Sequence, residues 1–286
     1  MRSNRLAVVQ VAAGMLLVLI SWRVSWSGPE PLRFHTFFPL WLGYILTVDA
    51  LSLLISGSSL LGRAGLRSVG FFAVSAPFWW LFEAANSVLG NWIYELPRDY
   101  SWLEYHVEAT IAFSTVVPAV FVTSEAVRLL VVRKPVRWLT LSPSRRGLWI
   151  ISASGASITI LTLLLPDIFF PLLWIGIFLF LDPINDRLGG LSITSQVRVG
   201  RWDTVVVLFV ATLVCGFFWE MWNSQAMPKW HYEIPYGAWA RLFEMPALGY
   251  GGYLPFSLEL FAIVALCDRL LGLGLARLIR FDRWAP

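Results

Sequence analysis

Eight stretches of this sequence are apolar over about the length a helix needs to cross a bilayer, and that constrains the fold more than any other feature. They run roughly over 6–22, 37–56, 70–87, 108–132, 149–165, 169–181, 204–222 and 250–271. The sixth is short, and its start extends outward to around Leu164. Apolar residues make up 57% of the chain and charged residues only 14%, with a mean hydropathy of +0.67. A soluble domain carries about 25% charged residues. Most of this chain therefore lacks a water-facing side. The expected fold is all-α, a polytopic membrane protein of about eight transmembrane helices.

Arg2 and Arg5 precede the first apolar run in the manner of a secretion signal. No small-x-small cleavage site follows; Ser21-Trp22-Arg23 stands in its place, so the segment is read as a retained helix. Cys215 and Cys267 both lie in apolar segments and suggest neither a disulfide framework nor a metal site.

With the N-terminus inside, the outer segments hold only five of the 22 Lys and Arg residues: Arg23, Arg33, Arg98, Lys229 and Arg241. The inner segments hold the rest, including Arg133, Lys134, Arg137, Arg145 and Arg146, and the tail residues Arg269, Arg277, Arg280 and Arg283. This asymmetry fits the positive-inside rule, an even helix count and two cytoplasmic termini in the inner (plasma) membrane. Each basic run abuts an apolar helix end, which argues against nucleic acid as the partner and for the lipid surface.

The two halves of the chain repeat one another at a shift that grows from 132 to 137 residues. Phe37-Phe38-Pro39-Leu40 recurs as Phe169-Phe170-Pro171-Leu172, and Asp49 lines up with Asp182. Phe82-Glu83-x-x-Asn86-Ser87, then Trp92-x-Tyr94-Glu95-Leu96-Pro97, recurs as Trp219-Glu220-x-x-Asn223-Ser224, then Trp230-x-Tyr232-Glu233-Ile234-Pro235. Glu108 and Pro118 pair with Glu244 and Pro255. The expected architecture is two parallel four-helix repeats, 1–135 and 147–286, with a pseudo-axis along the membrane normal. A site at such an interface is expected near mid-membrane. The long outer connections after the third and seventh helices are rich in aromatic residues and proline, and are expected to cap the bundle.

Ionisable groups in a span are costly, at about 2.5–3.5 kcal/mol each on insertion scales, and normally face the bundle interior. Asp49, Glu83, Asp182, Glu220 and Glu259 lie in or at the ends of the expected spans, and Glu125 lies near an inner end. Glu83, Asn86 and Ser87 share one helix face through i, i+3 and i+4 spacing, and Glu220, Asn223 and Ser224 repeat it. Helix counting places Glu83, Glu220, Glu108 and Glu244 in the outer half, where four carboxyls would converge under aromatic caps. A buried carboxyl can hold its proton at neutral pH and act as a general acid. Two other readings stay open: interhelical glue, in which a Glu–Asn pair ties neighbouring helices, and ion or substrate transport.

Tryptophans 22, 26, 138, 149, 202 and 284 fall at expected interfaces, where tryptophan belts are common. Trp79, Trp80, Trp219 and Trp222 flank the acids, so they either line a site or pack. His35, His106 and His231 show no metal-ligand spacing, and no nucleotide-binding or hydrolase motif is present. Gly43 and Gly176, in matching helices, suit close helix contact.

Phe82-Glu83, followed by Gly90-Asn91-Trp92-Ile93-Tyr94, then Glu108, Val116-Val117-Pro118 and Thr123-Ser124-Glu125-Ala126-Val127-Arg128, resembles the small integral-membrane lycopene cyclases of bacteria and fungi. The resemblance covers about residues 37–130 and extends through the repeat to about 169–271. This sequence has Glu83 where the family has Asp, and Glu108-Ala109 and Glu244-Met245 where the family has Glu-Glu. It also carries an extra leading helix in each unit. The resemblance implies cofactor-free, metal-free chemistry in carotenoid biosynthesis. A carboxylic acid protonates an isoprenoid double bond, aromatic rings shelter the cation, and a carboxylate takes a proton back; hydration is a variant. On that reading Glu83, Glu220, Glu108 and Glu244 are catalytic. Asn86, Asn223, Trp80, Trp219, Trp92, Trp230, Tyr94 and Tyr232 line the substrate site. The rival class is a non-enzymatic transporter or complex subunit. The oligomeric state is left open.

The charge asymmetry yields a topology test. Reporter fusions after Arg146 and after Asp282 should read as cytoplasmic, and a fusion near Asp99 as external. A cytoplasmic reading at Asp99 would contradict this arrangement.

Overall fold

The computed structural model describes residues 2–281. Arg283 and Trp284 of the sequence reading lie outside the described residues. The first half comprises α1 (Arg2–Ser27), α2 (Phe37–Ser56), the short α3 (Leu60–Ala64), α4 (Val69–Leu89), strand β1 (Trp92–Glu95), α5 (Trp102–Phe113) and α6 (Val116–Leu130). The second comprises α7 (Arg145–Leu164), α8 (Pro166–Phe169), α9 (Leu173–Arg187), the short α10 (Ile193–Val197), α11 (Asp203–Asn223), β2 (Lys229–Tyr232), the hairpin β3 (Arg241–Leu242) and β4 (Met245–Pro246), and α12 (Tyr253–Leu271).

The protein is nearly all-α, and seven of its described helical stretches are long and apolar enough to cross a membrane. The eighth stretch, α12, has the length at 19 residues but carries Glu259, Asp268 and Arg269. The apolar span expected over 108–132 is two helices, broken at Ser114-Thr115 just before Pro118. Its counterpart in the second half diverges. There the chain forms the β3–β4 hairpin and a 3-10 turn before α12 begins, with Pro255 in the first turn of that helix.

The core lies where α2, α4, α6, α9, α11 and α12 meet, while α1 and α7 pack outside α2 and α9. Residues matched in the sequence repeat make matching contacts. A Cβ on Gly43 would lie 2.8 Å from the Gly14 carbonyl oxygen, and one on Gly176 would lie 2.5 Å from Thr159 Oγ1. Bare backbone is what lets α1 meet α2, and α7 meet α9, at this range.

Asp49 and Asp182 also play one role twice. Asp49 accepts from Ser59 Oγ at 2.8 Å and Leu61 N at 2.9 Å. Asp182 accepts from Ile193 N at 2.7 Å, Thr194 N at 2.8 Å and Thr194 Oγ1 at 2.6 Å. Each acid satisfies the orphan N–H groups that open a short helix, α3 or α10. Ser59 and Ser192 cap the same two helices from within. Glu125 is engaged by Arg63, which also reaches the Leu278 carbonyl oxygen at 2.7 Å.

Close helix contact gives a stability test. Gly155→Ala would drive a Cβ into Phe180 N and the Gly176 carbonyl, whereas Gly251 has open space around it. Unfolding in detergent should show Gly155→Ala destabilised by about 1–3 kcal/mol and Gly251→Ala nearly unchanged. Equal stability of the two variants would contradict this packing.

Candidate functional site

The site begins where α4 and α11 stop. Helix α4 ends at Leu89, and Gly90 takes the left-handed conformation that turns the chain out of the helix. Asn86, one turn back, then catches the departing strand. Its Oδ1 accepts from Asn91 N at 2.9 Å and Trp92 N at 3.2 Å, and its Nδ2 donates to the Trp92 carbonyl at 2.7 Å. Asn223 does the same for β2, accepting from Trp230 N at 2.8 Å and donating to the Trp230 carbonyl at 2.7 Å. Both amides are thus committed to backbone. The sequence reading set them at the substrate; the structure sets them as latches.

The two latched strands pair antiparallel with each other. Trp92 lies opposite Tyr232, Ile93 opposite His231, and Tyr94 opposite Trp230. The period of two puts Trp92 and Tyr94 on one face of their strand, and Trp230 and Tyr232 on one face of theirs. On each strand that face meets an acid. Glu83 Oε1 accepts from Tyr94 Oη at 2.7 Å, Trp79 Nε1 at 2.9 Å and Trp92 Nε1 at 3.1 Å. Glu220 Oε1 accepts from Tyr232 Oη at 2.7 Å and Tyr253 Oη at 2.9 Å, and Trp230 Nε1 donates to Tyr232 Oη at 2.9 Å.

One substitution explains the difference between the two sets. Trp79 stands four residues before Glu83, and Gly216 stands four before Glu220. A Cβ on Gly216 would lie 2.5 Å from the Tyr253 ring, so the ring of Tyr253 fills the space that the glycine leaves open. Burial, and then the facing carboxyl, hold the Tyr94 and Tyr232 hydroxyls well above the usual phenol range. Both therefore stay neutral donors at any physiological pH.

Aromatic rings wall the acids, and each wall borrows from the opposite half. Phe82 stacks on Trp174 at 4.9 Å and 13°. Trp79 meets Trp92 at 6.3 Å and Phe256 edge-on at 5.9 Å. Trp219 lies 5.0 Å from Trp41 and 6.0 Å from Tyr253. Glu83 is half-buried, whereas Glu220 is fully buried and its Oε2 has no hydrogen-bonding partner among the described residues.

The four carboxyls of the sequence reading have separate hydrogen-bonding and ionic partners. Glu108, on α5, lies 3.4 Å from His35 with its side chain 32% exposed. Glu244 sits in the β3–β4 turn, 3.2 Å from Lys229. Both meet basic side chains of the outer connections. Trp80 faces away from Glu83; its Nε1 donates to Thr110 Oγ1 at 2.9 Å and its ring stacks on His106. Ser87 and Ser224 return their hydroxyls to the Ala84 and Met221 carbonyls of their own helices. Glu259 is fully buried, and neither of its oxygens has a partner among the described residues.

Sequence reasoning missed Tyr253, Trp174, Trp41 and Phe256, which arrive from other helices, and only the odd glycine at Gly216 hints at the first. It also missed a buried polar contact joining α2, α6 and α11. Tyr44 Oη lies 2.9 Å from Thr123 Oγ1, and Cys215 Sγ lies 3.4 Å from that same oxygen. Among the described residues no group of His, Cys, Asp and Glu is placed to hold a metal ion. No family model matches the sequence, and no curated protein or solved structure matches it.

The two acids should respond to substitution in a graded way. Glu220→Gln keeps an acceptor for Tyr232 and Tyr253 and should leave unfolding nearly unchanged. Glu220→Leu strands both hydroxyls and should destabilise the protein by about 1–3 kcal/mol for each buried unsatisfied group. The same contrast is expected at Glu83. Leucine variants as stable as the wild type would show that the carboxyls hold nothing.

Proposed function

We propose that this is a multi-pass protein of the inner membrane, built from two four-helix units, 1–135 and 147–286, with α12 as an eighth span. Its termini lie in the cytoplasm and its pseudo-twofold axis runs along the membrane normal. The strand pair supports this reading, because its register maps onto itself. Trp92 with Tyr232 becomes Trp230 with Tyr94, and Ile93 and His231 share the centre. The matched Asp49 and Asp182 caps support it at the opposite end.

In this proposal Glu83 carries out proton-initiated chemistry on a long isoprenoid. The observation that carries it is the asymmetry between the acids. Glu83 is half-buried in an aromatic box, with Oε1 held by three donors, while Glu220 is sealed from solvent. The hydrogen bonds fix the carboxyl and leave Oε2 to exchange a proton. That proton forms a new C–H bond at a substrate double bond, and the alkene π electrons supply the pair. The resulting cation is sheltered by Trp79, Phe82, Trp92 and Trp174. A second double bond closes a ring on it, and loss of a neighbouring proton to Glu83 restores the acid and conserves mass. Capture by water instead gives an alcohol. The three donors on Oε1 stabilise the carboxylate between the two transfers.

A non-enzymatic reading is favoured by the strand latches. Glu83 and Glu220 also fasten β1 and β2 to their helices, which suits a carrier or complex subunit with a rigid outer cap. Expression in a bacterial host that accumulates linear carotenes or other polyprenoids separates the two. The enzyme reading predicts a product of unchanged mass, or one heavier by a water. Glu83→Gln should fold, keep its Oε1 acceptor and lose that product. A folded wild-type protein that converts no member of a broad isoprenoid panel would leave the non-enzymatic reading standing.

A further inference from the structure

Three arginines lie where α7 starts and α9 ends, the inner ends of two packed helices in the proposed topology. Helix α7 opens with Arg145 and Arg146, and α9 closes with Arg187; all three are exposed. Arg187 reaches across to α7. Its Nη1 lies 3.4 Å from the Arg145 carbonyl oxygen, and its guanidinium carbon lies 4.7 Å over the ring of Trp149. The guanidinium is thus held against the turn from which the Arg145 and Arg146 side chains leave. None of the three has a carboxylate partner among the described residues, and the neighbouring Asp186 is taken by Arg198 at 2.8 Å. Arg63 and Arg201, by contrast, are each paired with an acid. Trp149 and Ile150 are 55% and 58% exposed beside this charge.

The fold does not require this arrangement. Gly14 meets the Gly43 carbonyl as Gly155 meets that of Gly176, and Asp49 matches Asp182. Counted from those anchors, the first half has Val8 in the place of Trp149 and Leu54 in the place of Arg187. A guanidinium presents a planar fork that suits a pair of phosphate oxygens. An exposed indole at a span end sits at the level of lipid headgroups. Unpaired positive charge beside exposed apolar surface calls for a partner with a negative head and an apolar body. We propose that this end of α7 and α9 binds one anionic phospholipid. Its phosphodiester is taken by Arg187 with Arg145 and Arg146, and its acyl chains lie along Trp149 and Ile150. Such a site requires α7 and α9 to be membrane spans and is independent of chemistry at Glu83.

Phosphatidylglycerol is the probe, compared with net-neutral phosphatidylcholine at equal mole fraction in detergent micelles. Phosphatidylglycerol should raise the thermal midpoint of the wild-type protein saturably, and phosphatidylcholine should not. Inorganic phosphate at the same concentration should give no saturable rise, because it lacks the chains. Arg187→Gln should need about tenfold more phosphatidylglycerol for half-saturation, the loss expected for one hydrogen bond to a charged group. Arg5→Gln, at the place in the first half that matches Arg146, should leave half-saturation unchanged. The site is overturned by equal responses to the two lipids, by a full response to inorganic phosphate, or by Arg187→Gln binding like the wild type. It is also overturned if Arg5→Gln loses as much as Arg187→Gln, the result that diffuse positive charge alone would give. Each of these would leave the spans standing, whereas wild-type protein soluble without detergent would contradict the spans themselves. The wild-type comparisons decide the matter even where a variant does not fold.

Discussion

Every polar group buried in this bundle must find its partner within the chain, and that requirement organises the structure. A helix end, a departing strand or an indole N–H buried away from water has only the protein to answer it. Acids and amides meet this need in pairs. Asp49 and Asp182 close the starts of two short helices. Asn86 and Asn223 hold the backbone where two strands leave their helices. Glu83 and Glu220 collect the hydroxyl and indole donors those strands present. The carboxyls that look anomalous in an apolar sequence are largely acceptors for donors that would otherwise be stranded.

Glu259 departs from that pattern, with two buried oxygens and no partner among the described residues. It adds a third charged residue to α12 and so weakens the apolar signal of that helix.

Several helices were legible because their apolar runs are long and cleanly bounded; the run over 37–56 coincides with α2, whereas the run over 108–132 hid a break between two helices. The Glu–Asn spacing correctly placed an acid and an amide on one face near a helix end. Their partners were not legible. Trp79 and Trp80 are adjacent in sequence, yet a step of one residue turns about 100° around a helix, so one meets Glu83 and the other meets α5. Glu108 and Glu244 hold matched places in the sequence, but their surroundings differ, one a helix and the other a hairpin turn. A repeat alignment aligns residues; it does not carry the conformation of a diverged connection. The pairing of β1 with β2 depends on about 138 residues of intervening chain returning to one place, which no local pattern encodes.

The central claim is that the two halves meet through one shared strand ladder that aims both tyrosines at the acids. Cysteines placed at Ile93 and His231, with Cys215 and Cys267 replaced, test it directly. Residues directly opposite in an antiparallel pair have Cα atoms about 4.5–5.5 Å apart, within reach of a disulfide. The account predicts rapid, near-complete cross-linking within one chain in native membranes, and little for a cysteine at Leu96 paired with the one at His231. Absence of the Ile93–His231 cross-link in folded protein would contradict the ladder, and with it the placement of Tyr94 and Tyr232 on Glu83 and Glu220.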